Sequence, residues 1–255
     1  MVDPVPSWAE PVASGGAVAP PRRLATPTWG LGDAALGWLV AYGAAMFLGA
    51  LIVASAGYAD DPDAAPLWLL ALTYPPLWIG FVGAPVLAAA RKGNGWVADF
   101  RGQIRAIDVP IGLAAGIAAQ LILVPLVSWP VLHFSGKTAE DLARPAEELA
   151  DKAVGPGGAL LFFLIVGIGA PLAEELFYRG LVLRSFEKRW GRVAAVLLSS
   201  LWFGVTHFQP LQLAALIVAG LVFGALAVRY DRLGPAVMAH VAFNTTTVVA
   251  LLWLT

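Results

Sequence analysis

Three short polar runs interrupt otherwise apolar stretches of this 255-residue chain. The first is Ala173-Glu174-Glu175-Leu176-Phe177-Tyr178-Arg179. The second is Phe203-Gly204-Val205-Thr206-His207, and the third is His240-Val241-Ala242-Phe243-Asn244. An ionisable side chain within an apolar helix costs about 2.5–3.5 kcal/mol on insertion scales, so each needs a partner or a task. Glu175 and Arg179 stand four apart and share a helical face, where they can pair. Glu174 points roughly 100° away from that face and is free for another task. His240 and Asn244 are also four apart and present two polar tips to one spot, while Phe203, one turn before His207, can wall its pocket.

A carboxylate with an imidazole can bind and deprotonate water. A second imidazole with an amide can donate hydrogen bonds to a developing oxyanion. Together they suit water-mediated hydrolysis of an amide. The chain has no cysteine, which excludes thiol catalysis and disulfides. It carries neither a Ser–His–Asp pattern nor an HExxH zinc helix. Two histidines and a carboxylate are nonetheless an acceptable zinc set. A zinc-dependent protease with Glu174, His207 and His240 as ligands therefore stays open beside a metal-free one. A non-catalytic immunity or binding protein is a third reading, and a small transporter a fourth. A Glu–Arg pair or a single histidine in a membrane helix often serves packing alone; the convergence of several is what points to chemistry.

The elements that must hold these groups are membrane helices. Of the residues, 59% are hydrophobic and 13% charged, against about 25% charged in an ordinary soluble domain. Mean hydropathy is +0.75. The expected fold is all-α, a polytopic transmembrane bundle of about seven spans, near 34–57, 66–90, 107–133, 157–183, 193–208, 211–228 and 235–254, each close to the length a bilayer requires. Residues 1–30 read as a disordered cytoplasmic tail, 31–156 as N-terminal spans with an outer loop, and 157–255 as the catalytic core. Twelve basic residues fall in loops on one side of this arrangement and three on the other. The positive-inside rule then puts the N-terminus in the cytoplasm and the C-terminus outside a cell membrane crossed many times. Gly112-xxx-Gly116 and Gly220-xxx-Gly224 predict close helix approach, and Pro75-Pro76, Pro125 and Pro171 predict kinks. His133 reads as interfacial.

Depth follows from counting. Glu174 stands sixteen residues before Trp190 and His207 sixteen after Gly191. Straight antiparallel helices would bring the two side by side. Asn244 would join them in the inner half of the membrane, in a pocket open to the cytoplasm.

Glu174-Glu175-xxx-Arg179, Phe203-xxx-His207 and His240-xxx-Asn244, in that order in successive spans, resemble the CPBP family of CAAX proteases and bacteriocin-processing enzymes, also called Abi, which includes the type II CAAX prenyl endopeptidases. The resemblance covers about residues 157–254. It implies an intramembrane endopeptidase of glutamate type without a cofactor. Glu174 and His207 would activate water, His240 and Asn244 would stabilise the oxyanion, and Glu175, Arg179 and Phe203 would shape the site. The implied partners are the lipid bilayer and a membrane-associated protein or peptide, prenylated CAAX-type proteins among the candidates; no nucleic acid is expected.

Overall fold

A computed structural model describes residues 26–253, which are helical throughout apart from short connections, with no strand among them. The expected N-terminal tail lies almost wholly outside the described residues. Six helical runs are long and apolar enough to cross a membrane: α1 (Leu31–Ser55), α2 (Leu67–Lys92), α3 (Asp108–Ser135), then, after the amphipathic α4 (Ala139–Ala150), α5 (Gly155–Val205), α6 (Pro210–Arg229) and α7 (Gly234–Trp253).

The expected fourth span and most of the fifth fall in α5, which ends at Val205 rather than at residue 208. Its 51 residues are broken at Gly191, where φ is 78° and ψ 177°. A side chain with a Cβ rarely takes that backbone angle, so glycine marks the turn. Beyond it the chain doubles back. The Tyr178 hydroxyl lies 2.7 Å from Thr206 Oγ1, and the Arg179 guanidinium sits 4.5 Å from the centre of the Phe203 ring. The two limbs, 155–190 and 192–205, thus form the hairpin that Trp190-Gly191 predicts, and six helical runs come close to seven crossings.

Helices meet where side chains vanish. A Cβ on Gly112 would fall 2.3 Å from that of Met238, and one on Gly116 only 2.1 Å from the Ala239 carbonyl oxygen. That brings α3 backbone-close to α7. Gly220 does the same for α6, a Cβ there meeting Ser200 of α5 at 3.0 Å. Inside, Phe81, Phe177, Tyr178 and Phe203 form an aromatic core, with Phe81 stacked on Phe177 at 4.5 Å. Outside, α1 exposes Met46 and Phe47 by more than two thirds, and Ile79, Leu121 and Trp129 are comparably bare. Apolar surface so continuous is tolerated against lipid, not water.

The bundle has two chemically distinct ends. At one, the described basic loops are tied to each other and to helix ends: Lys92 to Asp33, Arg184 and Arg101 to Asp231, Arg232 to Asp108. At the other end, α4 lies across the helix termini. Thr138 and Asp141 cap it reciprocally, the Thr138 amide holding the Asp141 carboxyl below its usual range. Lys152 donates to the carbonyls of Asp63 and Ala65, and Gln212 Nε2 donates to the Leu142 carbonyl at 2.7 Å. His133, near this end, is exposed and stacks on Trp129, away from the polar groups of the interior.

Candidate active site

Three stretches of wider, i→i+5 helix interrupt the spans: Ala119–Leu123, Phe163–Gly169 and Leu176–Val182. Two are followed within two residues by a proline, Pro125 and Pro171. Proline removes one amide donor and crowds the carbonyl four residues back, and the wider turn relieves both. The kinks predicted at Pro125 and Pro171 are thus realised as widened turns, whereas Pro75-Pro76 instead opens the segment Tyr74–Lys92 after a break that follows Leu67–Ala71. Glu174 and Glu175 end the short α-helical segment Ala170–Glu175, held between two of these stretches.

The centre of the site is Glu175, which is fully buried. Its Oε1 accepts from Arg179 Nη1 at 2.8 Å and from His240 Nδ1 at 2.9 Å. Arg179, equally buried, spends Nη2 on the Gly220 carbonyl at 3.2 Å and lies between the rings of Phe203 and Phe223, 4.5 and 5.3 Å from their centres. The pair therefore joins α5, α6 and α7. A carboxylate only accepts, so Nδ1 of His240 carries the proton and Nε2 is the free ring atom. That Nε2 stands 3.9 Å from Glu174 Oε2. The ring is held flat against Phe223 at 4.6 Å and edge-on to Phe203 at 5.8 Å.

Glu174, His207, His240, Asn244 and Phe203 all line one cavity of about 440 Å³. His207 donates from Nδ1 to the Phe203 carbonyl at 2.6 Å, because a carbonyl can only accept, which leaves its Nε2 as the acceptor. Asn244 donates one amide hydrogen to the Val166 carbonyl at 2.8 Å, within the widened stretch Phe163–Gly169. Its second amide hydrogen is uncommitted.

Two expectations change. Glu174 makes no hydrogen bond to His207; the imidazole nearest its carboxylate is that of His240. Counting residues assumed a constant rise, whereas the stretch Leu176–Val182 packs more residues into each turn and rises less per residue. Tyr178, not Glu174, stands level with the end of the second limb, its hydroxyl 2.7 Å from Thr206 Oγ1, and His207 lies beyond the end of its helix at Val205. The pocket also does not face the basic loops. Its walls run from Glu174 toward Leu142 and Leu149 of α4, Gln209, Gln212 and Leu251, all at the opposite end.

Several residues at the site carry no signal in the sequence. Phe223 looks like any span phenylalanine until it is seen stacked on His240. Tyr42 donates to the Thr206 carbonyl at 2.6 Å and Tyr178 bonds the Thr206 hydroxyl, bracing the turn that presents His207. Gln120, in the third span, was the one readable clue: a polar residue in an apolar run, and it lines the same cavity.

A zinc reading would need Glu174, His207 and His240 gathered around one point. Among the described residues no group of three histidine, aspartate or glutamate side chains is arranged to hold a metal ion. The residues as placed do not fit a zinc shell.

Comparison with known proteins points to a family of membrane proteases. Residues 156–246 match the family described as type II CAAX prenyl endopeptidase Rce1-like. An Escherichia coli protein named "Uncharacterized 24.3 kDa protein" is 31% identical over 164 residues, spanning 59% of this chain and 68% of that one. A Bacillus subtilis (strain 168) protein named "Putative membrane peptidase YdiL" is 27% identical over 89 residues, 35% of this chain and 36% of that one, so the match covers little more than a third of its length. No solved structure matches. With its multi-pass helical bundle, its ordered glutamate, histidine and asparagine motifs and these relatives, the chain belongs to the Rce1-like family of type II CAAX prenyl endopeptidases, proteases of the membrane.

Proposed function

We propose that this protein is an intramembrane endopeptidase of glutamate type, in which Glu174 deprotonates the attacking water and no metal takes part. The observation that carries the reading is the contrast between adjacent carboxylates. Glu175 is fully buried with its Oε1 committed to Arg179 and His240, while Glu174 makes no hydrogen bond and faces the cavity.

Each group has one step. Water lies against the Glu174 carboxylate, with His207 Nε2 accepting its second hydrogen. Its oxygen attacks the substrate carbonyl carbon as Glu174 takes the proton. The carbonyl oxygen becomes an oxyanion that accepts from His240 Nε2–H and from the uncommitted amide hydrogen of Asn244. With Nδ1–H directed at Glu175, donation from Nε2 requires the imidazolium form of His240. Collapse of the tetrahedral intermediate breaks the C–N bond, and Glu174 returns its proton to the leaving amine. Arg179 and Phe203 keep Glu175 and His240 in place rather than touching substrate. Asn244 is fixed through Val166 and His240 through Glu175 and Phe223, so the donors need little reorganisation when charge develops. A membrane-associated protein or peptide is the substrate of this reading, with the bilayer as the partner that presents it.

The test is peptidase activity of the purified protein on lipidated and unlipidated membrane peptides, with a strong chelator and a metal assay in parallel. Cleavage that withstands the chelator in protein free of stoichiometric metal is the expected result. Loss of cleavage on chelation, restored by one equivalent of zinc, would contradict it.

A further inference from the structure

Resting on the protease reading, we infer that the substrate enters from the end of the bundle opposite the basic loops, beneath α4, and that its class is therefore the extracytoplasmic, membrane-proximal segment of an exported or membrane-anchored protein. A prenylated cytoplasmic C-terminus would approach from the wrong side.

The cavity itself is directional. Toward the basic end it is closed by Arg179 between Phe203 and Phe223, with Glu175 fully buried beneath them. Past that plug Arg184 reaches across to the Ala227 carbonyl and fills the next layer. Toward the other end it continues from Glu174 to the apolar side of α4, where Leu142, Ala146 and Leu149 form a roof. α4 has a polar outer side, with Glu140 and Glu148 exposed, so it lies at the membrane surface rather than across it. It is held by the Gln212 side chain bonding its Leu142 carbonyl, by Leu149 and Ala150 packing with Phe162 and Val248, and by Lys152 in the segment just after it.

The cavity also contains an unmet demand for a donor. Gln120 Oε1 is buried in the wall without a hydrogen-bond partner. A buried amide oxygen left unpaired costs roughly 1–3 kcal/mol. A peptide laid along the cavity supplies N–H groups for it, which fits an extended backbone better than a lipid tail.

Charge sets which end is outside. Arg91, Lys92, Arg101, Arg105, Arg184, Lys188, Arg189, Arg192, Arg229 and Arg232 belong to one end, and the α4 end holds Lys137, Arg144 and Lys152 among Asp60, Asp61, Asp63, Glu140, Asp141, Glu147 and Glu148. Basic loops stay in the cytoplasm, so the roofed mouth is extracytoplasmic.

The chain lacks cysteine, so single cysteines report access without background. Glu148→Cys on the outer side of α4, Ala146→Cys on its cavity side and Arg189→Cys at the basic end would be treated with a membrane-impermeant maleimide in intact bacterial cells and after permeabilisation. Glu148→Cys and Ala146→Cys are expected to react in intact cells, and Arg189→Cys only once the membrane is opened. The reverse pattern, or Ala146→Cys reacting only after permeabilisation, overturns the proposal. In the same cells, new protein termini that appear with the wild-type chain and not with Glu174→Gln are expected on extracytoplasmic juxtamembrane segments. Termini on the cytoplasmic side overturn the substrate class. Absence of any new terminus overturns the protease reading, whatever side the maleimide reaches.

Discussion

Glu175 and Glu174 are chemically the same residue one position apart, and their surroundings divide the labour. Glu175 pairs with Arg179 and bonds His240 where its side chain is fully buried. Removing one partner of such a buried pair leaves a charge uncompensated. Arg179→Ala is therefore expected to destabilise the bundle by roughly 3–5 kcal/mol, read as a lowered thermal midpoint in detergent and reduced yield; an unchanged midpoint would show that the pair is dispensable. Spacing alone makes the Glu175–Arg179 pair legible, because four residues on a helix return to one face. The contact of His240 with Glu175 was not legible, since it spans 65 residues and depends on how α7 rotates against α5. The same limit applies to Glu174, whose nearest imidazole is on α7 rather than across the hairpin.

At the scale of the helices, the positions that matter are those without side chains. Gly116 lets α3 touch the backbone of α7 one residue before His240. Gly116→Ala forces the two helices apart, an overpacking change worth about 1–3 kcal/mol. It also shifts His240 and Asn244, and a displacement near 1 Å can lower turnover by about a hundredfold. Both a lower midpoint and a lower kcat are expected from thermal unfolding and peptidase assays, while Gly43→Ala, whose added Cβ meets nothing within 4 Å, is expected to match the wild type. The glycine spacing announced these contacts, and the prolines announced irregularity. What could not be read was the form of the irregularity. A widened turn such as Phe163–Gly169 arises from the balance between a proline's missing donor and the packing of its neighbours. That balance is tertiary, and so is the widening at Leu176–Val182, which no proline follows and which upsets equal spacing along α5.

For the whole molecule, composition was the most readable feature. The all-helical bundle, the hairpin at Gly191 and the gathering of basic loops at one end follow from hydropathy and charge. The direction of the cavity did not, because it depends on α4, whose polar sequence reads equally as a solvated connector. Only the seating of Leu142 and Leu149 over the cavity gives it a role. Seven crossings with basic loops in the cytoplasm would place the termini on opposite sides. A periplasmic reporter enzyme fused after Thr255 is accordingly expected to be active and the same reporter fused before Met1 inactive; activity from both fusions, or from neither, would contradict an odd number of crossings.

The central claim is that the Glu174 carboxylate is the base. Its most direct test is single-turnover cleavage of one membrane peptide by purified wild type and Glu174→Gln, with folding of both checked by thermal unfolding. The amide keeps the size of the side chain and cannot take the proton, so the account predicts an unchanged midpoint and a cleavage rate lower by about 10²–10⁴. A folded Glu174→Gln protein that cleaves at the wild-type rate would contradict it.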